Sequence, residues 1–318
     1  MVEIYRMAAH FVGLCVVLWC CLFISGCADS KDRLADNQTM LPETDKLSVY
    51  ATIFPVYDFA RQVGGELIQV EQLVADGVEP HEWEPTPKDL ANMEQADVLL
   101  YNGAGMEPWL AKVLVSLENK GVVTIDCSAG VSLLSGEGLS NAQIDPHIWL
   151  DPGNAIIMVN NIKNGFVQAD PDHASDYQKQ AAAYEKHLSD LDQLYEDTLS
   201  QAKTRQFIVS HDSFGYLAYR YNLEQVSIRG LSPDADPNPA RMSEIIEIIR
   251  KSGVKYVFNE SLVSPRVSEV IAQETGADTL NLNPLEGITV EERQAGHNYL
   301  SLMEENLQNL VLALEVQQ

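Results

Sequence analysis

Three histidines stand in contexts where an imidazole can do chemistry. His81 lies in Gly77-Val-Glu-Pro-His-Glu-Trp-Glu-Pro-Thr-Pro87, a loop stiffened by three prolines just ahead of a helix start. His147 lies in Asp145-Pro-His-Ile-Trp-Leu-Asp-Pro152, and His211 follows the apolar run Phe207-Ile-Val-Ser210. Neutral imidazole is the commonest side-chain ligand for borderline divalent metals. Spacings of 66 and 64 residues take one imidazole from each successive segment of the chain. Three of them with a carboxylate can close one four-coordinate site. Any one of these histidines alone reads as a surface or satisfied core residue. It is the set, each member in a stiff setting, that argues for a ligand group. His173, His187 and His297 lack such settings and read as surface residues.

The elements that must position these side chains follow an alternating rhythm. β-branched runs predict strands at Ser48–Phe54, Gln69–Val74, Val98–Asn102 and Val122–Asp126. Helical patterns fall at Val56–Gly64, Pro87–Ala96 and Pro108–Lys120, with Thr86-Pro87 as a start signal. The second half repeats the scheme. Its strands fall near Gln206–Ser210, Gln225–Ile228, Tyr256–Asn259 and Asp278–Leu282, and its helices near Phe214–Tyr221, Pro239–Ser252, Pro265–Thr275 and Ala295–Leu314. Strands alternating with helices imply parallel sheets, and ligands of such sheets bind beyond the carboxyl ends of the strands. The fold class is therefore α/β, in two halves.

Between the halves, apolar residues recur at Tyr177, Ala181, Tyr184, Leu188, Leu191, Tyr195, Leu199 and Ala202, and no proline or glycine interrupts them after Pro171. A spacing of three and four predicts one long amphipathic helix. Read as a rigid spine rather than an isolated coiled-coil segment, it gives two α/β lobes that close little. The expected organisation is residues 1–26 as a signal peptide, 27–46 as a flexible tether, 47–169 as the first lobe, 170–203 as the linking helix and 204–318 as the second lobe.

Composition limits the function. The 318 residues are 46% hydrophobic, enough to fill real cores. With 21 Lys+Arg against 46 Asp+Glu the net charge is −25, which excludes the basic footprint that nucleic acid requires. The acidity reads either as solubility and self-repulsion or as a field that draws in cations, and charge alone does not choose between them. Near the N-terminus, Arg6 precedes the apolar stretch Phe11–Ile24, the length of a signal-peptide core and short for a membrane span. It ends in Ile24-Ser-Gly-Cys27, which resembles the bacterial lipobox and implies cleavage before Cys27 and lipid on that residue. A signal cut elsewhere, or an uncleaved anchor, is the alternative. Cys127 would then be the one cysteine left, so neither an intramolecular disulfide nor a paired-cysteine zinc site is available.

The motifs taken in order bear a resemblance that extends along the whole chain after the tether. Glu79-Pro-His81 with Glu84-Pro-Thr-Pro87, Asp145-Pro-His147-Ile-Trp149 and Ser210-His211-Asp-Ser-Phe214-Gly-Tyr216 are similar to segments of the zinc/manganese receptor lipoproteins of bacterial ABC importers. So are Ile228-Arg-Gly-Leu-Ser-Pro233, Asp236-Pro-Asn-Pro239 and Asn283-Pro-Leu-Glu286-Gly. The resemblance implies two lobes on a backbone helix, with His81, His147 and His211 binding a metal between them. It implies Zn(II) as the transported ligand, because the third position is histidine and a nitrogen-rich site suits zinc, with a manganese receptor as the alternative of the same class. The fourth place falls to Glu286, with Glu260 or water as alternatives. Asp145 and Asp212 are expected to orient the imidazoles. The implied partners are a membrane permease with its ATPase. The implied location is the outer face of the cytoplasmic membrane, or the periplasmic side in a two-membrane cell, with the protein a monomer held by lipid on Cys27.

One departure stands out. Where many zinc receptors carry a long histidine- and acid-rich loop, Ser128–Ile144 has no histidine and only Glu137 as a charge, so a single site is expected. An exported zinc hydrolase is the alternative from another class, but no HExxH motif or nucleophile elbow is present. A surface adhesin on the same fold is the other. No enzymatic activity is expected.

Overall fold

In the computed structural model, residues 46–135, 143–233 and 237–317 are described. The expected signal peptide, the lipidation site Cys27, the tether up to residue 45 and the Asp236 end of one quoted motif lie outside them. Among the described residues, eight short strands form two four-stranded sheets, all parallel. The first, in the order β2-β1-β3-β4, joins β1 (Leu47–Ala51), β2 (Ile68–Gln72), β3 (Val98–Tyr101) and β4 (Val123–Asp126). The second, in the order β6-β5-β7-β8, joins β5 (Gln206–Val209), β6 (Glu224–Ser227), β7 (Tyr256–Asn259) and β8 (Asp278–Asn281). Each strand begins within one residue of its expected start, but the first ends at Ala51, three residues short of the expected Phe54, which instead opens the first helix.

Helices cover both faces of each sheet, as a parallel sheet requires. Around the first lie α1 (Phe54–Gly64), α2 (Pro87–Met93) and α3 (Leu110–Leu117). Around the second lie α6 (Gly215–Arg220), α7 (Pro239–Ser252), α8 (Arg266–Thr275), α9 (Val290–Ala295) and α10 (Tyr299–Ala313). Between them run α4 (Pro152–Ala169) and α5 (Ala174–Leu199). Alternate strand residues divide the cores. Val98, Leu100, Phe207, Val209 and Phe258 join one large cluster with α1, α4, α5 and α10. Leu99 faces a small cluster under α2 and α3, and Ile208 and Val257 face another under α7 and α8.

The long helix is shorter than its pattern suggests. Pro171–His173 make a 3-10 turn, and α5 begins at Ala174, giving 26 residues and a length of about 39 Å. It buries Tyr177, Ala181, Tyr184, Leu188, Leu191, Tyr195 and Leu199 on one stripe. The larger of these contribute roughly 1.5–3 kcal/mol each by leaving water. This stripe packs on α4, α1 and α10, elements that precede and follow it in the chain, so the linker is embedded in the shared core.

Two elements depart from expectation. No element is assigned by sequence pattern to 152–169, yet α4 runs 18 residues from an Asp151 cap that accepts from the Gly153 N–H. Its glycines lower helix propensity, but Gly165 is where Ile125 of β4 seats. A Cβ there would come within 2.5 Å of Ile125 Cγ1. Tertiary packing outweighs propensity at this helix. The single helix expected at Ala295–Leu314 is instead two. Gly296, at φ +83°, ends α9, and Asn298 caps α10 afresh.

Candidate metal centre

Each sequence-singled histidine lies on the connection that follows a strand's carboxyl end, close to it for His211 and further along for His81 and His147. His211 lies two residues past β5, and Glu286 five past β8. His81 follows β2, and His147 follows β4 and opens the short 3-10 turn Ile148–Leu150. The two sheets turn these ends toward one point. One ligand atom from each of His81, His147, His211 and Glu286 lies within 4.8 Å of the others. His147 and His211 are fully buried, Glu286 is 3% exposed, and His81 is half-buried at the rim.

Glu286 is the hub. Its Oε1 faces His147 Nε2 at 3.0 Å and His211 Nε2 at 2.9 Å, and its Oε2 lies 3.5 Å from His81 Nε2. The last nitrogen is buried and has no hydrogen-bond partner. Glu286 is delivered by a tight turn. Leu285 is buried with φ at +58°, an uncommon conformation for a side chain of this size. The turn is held from several sides. Asn283 Oδ1 accepts from the Leu285 N–H at 2.8 Å, Asn306 bonds both backbone groups of Asn283, and Trp149 Nε1 donates to the Pro284 carbonyl at 2.8 Å.

Two histidines are gripped in the same way. Asp145 Oδ1 accepts from both the backbone N–H (2.9 Å) and Nδ1 (2.7 Å) of His147. Glu260, at the end of β7, accepts from the backbone N–H (3.1 Å) and Nδ1 (2.7 Å) of His211. Glu260, weighed as a fourth ligand, thus turns its carboxylate to the ring nitrogen opposite the one that faces Glu286. Asp212, expected to orient an imidazole, instead binds the side chain of Gln225, and Glu260 occupies the place beside His211 Nδ1. Sheet adjacency explains the difference, since β7 is the neighbour of β5. For His81, Glu79 takes the backbone N–H at 3.1 and 3.2 Å.

The electrostatics follow from these contacts. Burial pulls the His147 imidazolium down, but the Asp145 and Glu286 carboxylates outweigh it and push the pKa up to about 9. His211 is likewise depressed by burial and raised well above the usual range by Glu260 and Glu286. For Glu286, burial favours the acid, yet the surrounding imidazoles hold the carboxyl well below its ordinary range. An imidazole with carboxylate oxygens on both ring nitrogens is satisfied as the cation. A cavity of about 280 Å³, lined by Ala104, Gly105, Ile144, Pro146 and Leu231, opens beside His81. Cys127 is buried, and burial pushes its thiol up, which disfavours the thiolate.

Two parallel sheets packed on one long backbone helix define a helical-backbone solute-binding protein. The sequence model of the ZnuA family, described as zinc-uptake complex component A, periplasmic, matches residues 49–313, and the chain belongs to that family. It is 37% identical over 316 residues to the high-affinity zinc uptake system protein ZnuA of Bacillus subtilis, covering 96% of this chain and 98% of that one. It is 38% identical to the zinc-binding lipoprotein AdcA of Streptococcus pneumoniae over 94% of its own length, but spans 60% of AdcA. Among solved structures, the Zn(II)-bound ZnuA-like domain of AdcA superposes with a TM-score of 0.76 at 40% identity, covering 85% of this chain and 99% of that one. The laminin-binding protein Lmb of Streptococcus agalactiae, described as having adhesin and metal-transporting activity, gives 0.78 at 30% identity, covering 85% and 99%.

Proposed function

We propose that this chain is an extracytoplasmic receptor that captures Zn(II) and delivers it to the permease of an ABC importer driven by a cytoplasmic ATPase. His81, His147 and His211 bind through Nε2, and Glu286 supplies the fourth donor. The observation that carries this reading is the convergence of those four ligand atoms within 4.8 Å, with the Nδ1 atoms of the two buried histidines already held by carboxylates. Three imidazoles and one carboxylate suit tetrahedral zinc, whereas manganese prefers more oxygen donors. With four protein donors no coordination place remains for a hydrolytic water, which favours a binder over an enzyme. Export and lipid on Cys27 would keep this receptor, as a monomer, beside its permease at the membrane surface.

Competitive titration of metal-stripped protein starting at Ala28, with bound Zn and Mn counted per chain, tests the reading. Tight uptake of one Zn(II) that excess Mn(II) does not displace is expected. Preferential retention of Mn(II) overturns the zinc assignment, and failure to hold either metal overturns the site.

A further inference from the structure

The arm that carries His81 is fastened to the segment that carries Glu286 by contacts that involve no proposed ligand. Arg293, on α9, spreads its guanidinium over Asp76, in the turn between β2 and His81. Nε meets Asp76 Oδ2 at 2.8 Å and Nη2 meets Oδ1 at 2.6 Å, while Nη2 also donates to Gln72 Oε1 at 2.7 Å. The guanidinium lies 4.8 Å from the Tyr57 ring centroid and 5.5 Å from that of Phe54, so α1 fixes its plane. Such a planar, two-point fork sets direction as well as charge, which a point cation does not. Two backbone contacts flank it. The Gly77 N–H donates to the Ile288 carbonyl at 2.8 Å, with Gly77 at φ +80°. Gly287 lets the arm come close, since a Cβ there would lie 3.3 Å from the Val78 carbonyl oxygen.

The arm lies nearer the surface than the other two ligand loops. His147 and His211 are fully buried, with Asp145 and Glu260 on their Nδ1 atoms. The His81 side chain is 11% exposed at the rim, on a loop where Glu79 holds its backbone N–H.

We propose that Arg293 is the positioning residue of the His81 arm: its fork on Asp76 docks the arm against residues 286–293 so that His81 Nε2 is presented to the ion. The role rests on the metal reading above. Arg293 touches no proposed ligand and acts only through where the arm sits. With the fork broken, ordering the arm becomes part of the binding step, and His81 is the donor that drops away. His147, His211, Glu286 and a water then hold the ion.

Two substitutions separate this role from a general bracing of the fold. Asp76→Ala removes the acceptor and leaves Arg293 over Tyr57, and Arg293→Lys keeps the charge without the fork. In the purified full chain in detergent, Zn(II) release into excess chelator gives the rate, and the Co(II) absorption spectrum gives the coordination. Both variants are expected to release Zn(II) about tenfold faster, the lower end of what lost supporting contacts do to metal sites. Both are also expected to lose intensity in the tetrahedral Co(II) bands. In a His81→Ala background neither change is expected to alter release further. Acceleration of the same size in that background overturns the proposal in favour of bracing, and unchanged release in both single variants removes the role. An unaltered chain that takes up neither Zn(II) nor Co(II) overturns the site reading, and this role with it.

Discussion

In the proposed metal site, protons on His147 and His211 would stand where the ion binds, and this predicts a defined exchange. His147 lies between Asp145 and Glu286, and His211 between Glu260 and Glu286, each with a carboxylate oxygen at 2.7–3.0 Å from both ring nitrogens. This geometry favours the imidazolium form of both rings in the metal-free protein at neutral pH, in line with a His147 pKa pushed up to about 9 and a raised His211. Zn(II) needs both Nε2 lone pairs, so each ion bound should expel two protons. Removing the proton from His147 at pH 7 opposes binding by ~3 kcal/mol, given 1.36 kcal/mol per pKa unit. With two protons displaced, the apparent Zn(II) constant climbs about 100-fold per pH unit between pH 6 and 8, and the slope eases as His147 titrates near 9. Calorimetry in buffers of different ionisation enthalpy counts the protons directly. Asp145→Asn removes one counter-charge of His147 and should lower the count toward one. A count near zero in every buffer, with an affinity flat from pH 6 to 8, would refute the reasoning.

Three further outcomes follow from the same contacts. Because the folded pKa of His147 lies above its unfolded value near 6.5, its stabilisation is full below that value and is lost as pH rises through about 9. The metal-free protein should accordingly melt lower at pH 9.5 than at pH 7, a decline that His147→Gln should blunt. Glu260→Gln should weaken Zn(II) binding by about 10- to 100-fold, as loss of an outer-shell carboxylate does elsewhere; an unchanged titration would return Glu260 to a purely structural role. Asp58, buried where it accepts from the Tyr299 N–H, is driven up to about 6 chiefly by burial. Its contribution to stability is present below its unfolded pKa and lost as pH rises through 6, so Asp58→Asn should raise Tm at pH 7.5 and not at pH 4.5. An equal shift at both values would show that the charge is irrelevant.

Much of this could be read without coordinates, for physical reasons. The strands are short β-branched runs bounded by turn residues, and parallel sheets leave few other places for such runs. Any one of the histidines alone reads as a surface or satisfied core residue, and it is the set, one from each successive segment in a Pro- or strand-flanked setting, that pointed to a candidate site. What escaped the reading depends on spatial neighbours. Whether Asp212 or Glu260 serves His211 is decided by β7 lying beside β5, a fact of sheet order that adjacency in sequence points away from. Helix α4 depends on Gly165 meeting Ile125, a contact between residues 40 positions apart. The Arg293 fork joins residues more than 200 positions apart in an otherwise ordinary charged surface helix.

The proton exchange and the stiff frame answer the same problem. Three carboxylates, Asp145, Glu260 and Glu286, surround the buried histidines, and two positive charges balance them in part whether these arrive as two protons or as one Zn(II). The charge of the pocket is then unchanged by binding. A charge-changing step in so dry a place would demand relaxation of the protein around it. The frame shows little provision for that relaxation. Helices α1, α4, α5 and α10 share one core with strands of both sheets, Tyr195 bonds the Met303 carbonyl at 2.6 Å, and the Tyr299 hydroxyl bonds the Trp149 carbonyl at 2.6 Å. Motion on binding is therefore expected in the loops that carry the donors rather than between the sheets. The rim loop of His81, held by Arg293 and beside the cavity at Ala104 and Ile144, is the place where entry of an ion would be expected to disturb the frame least.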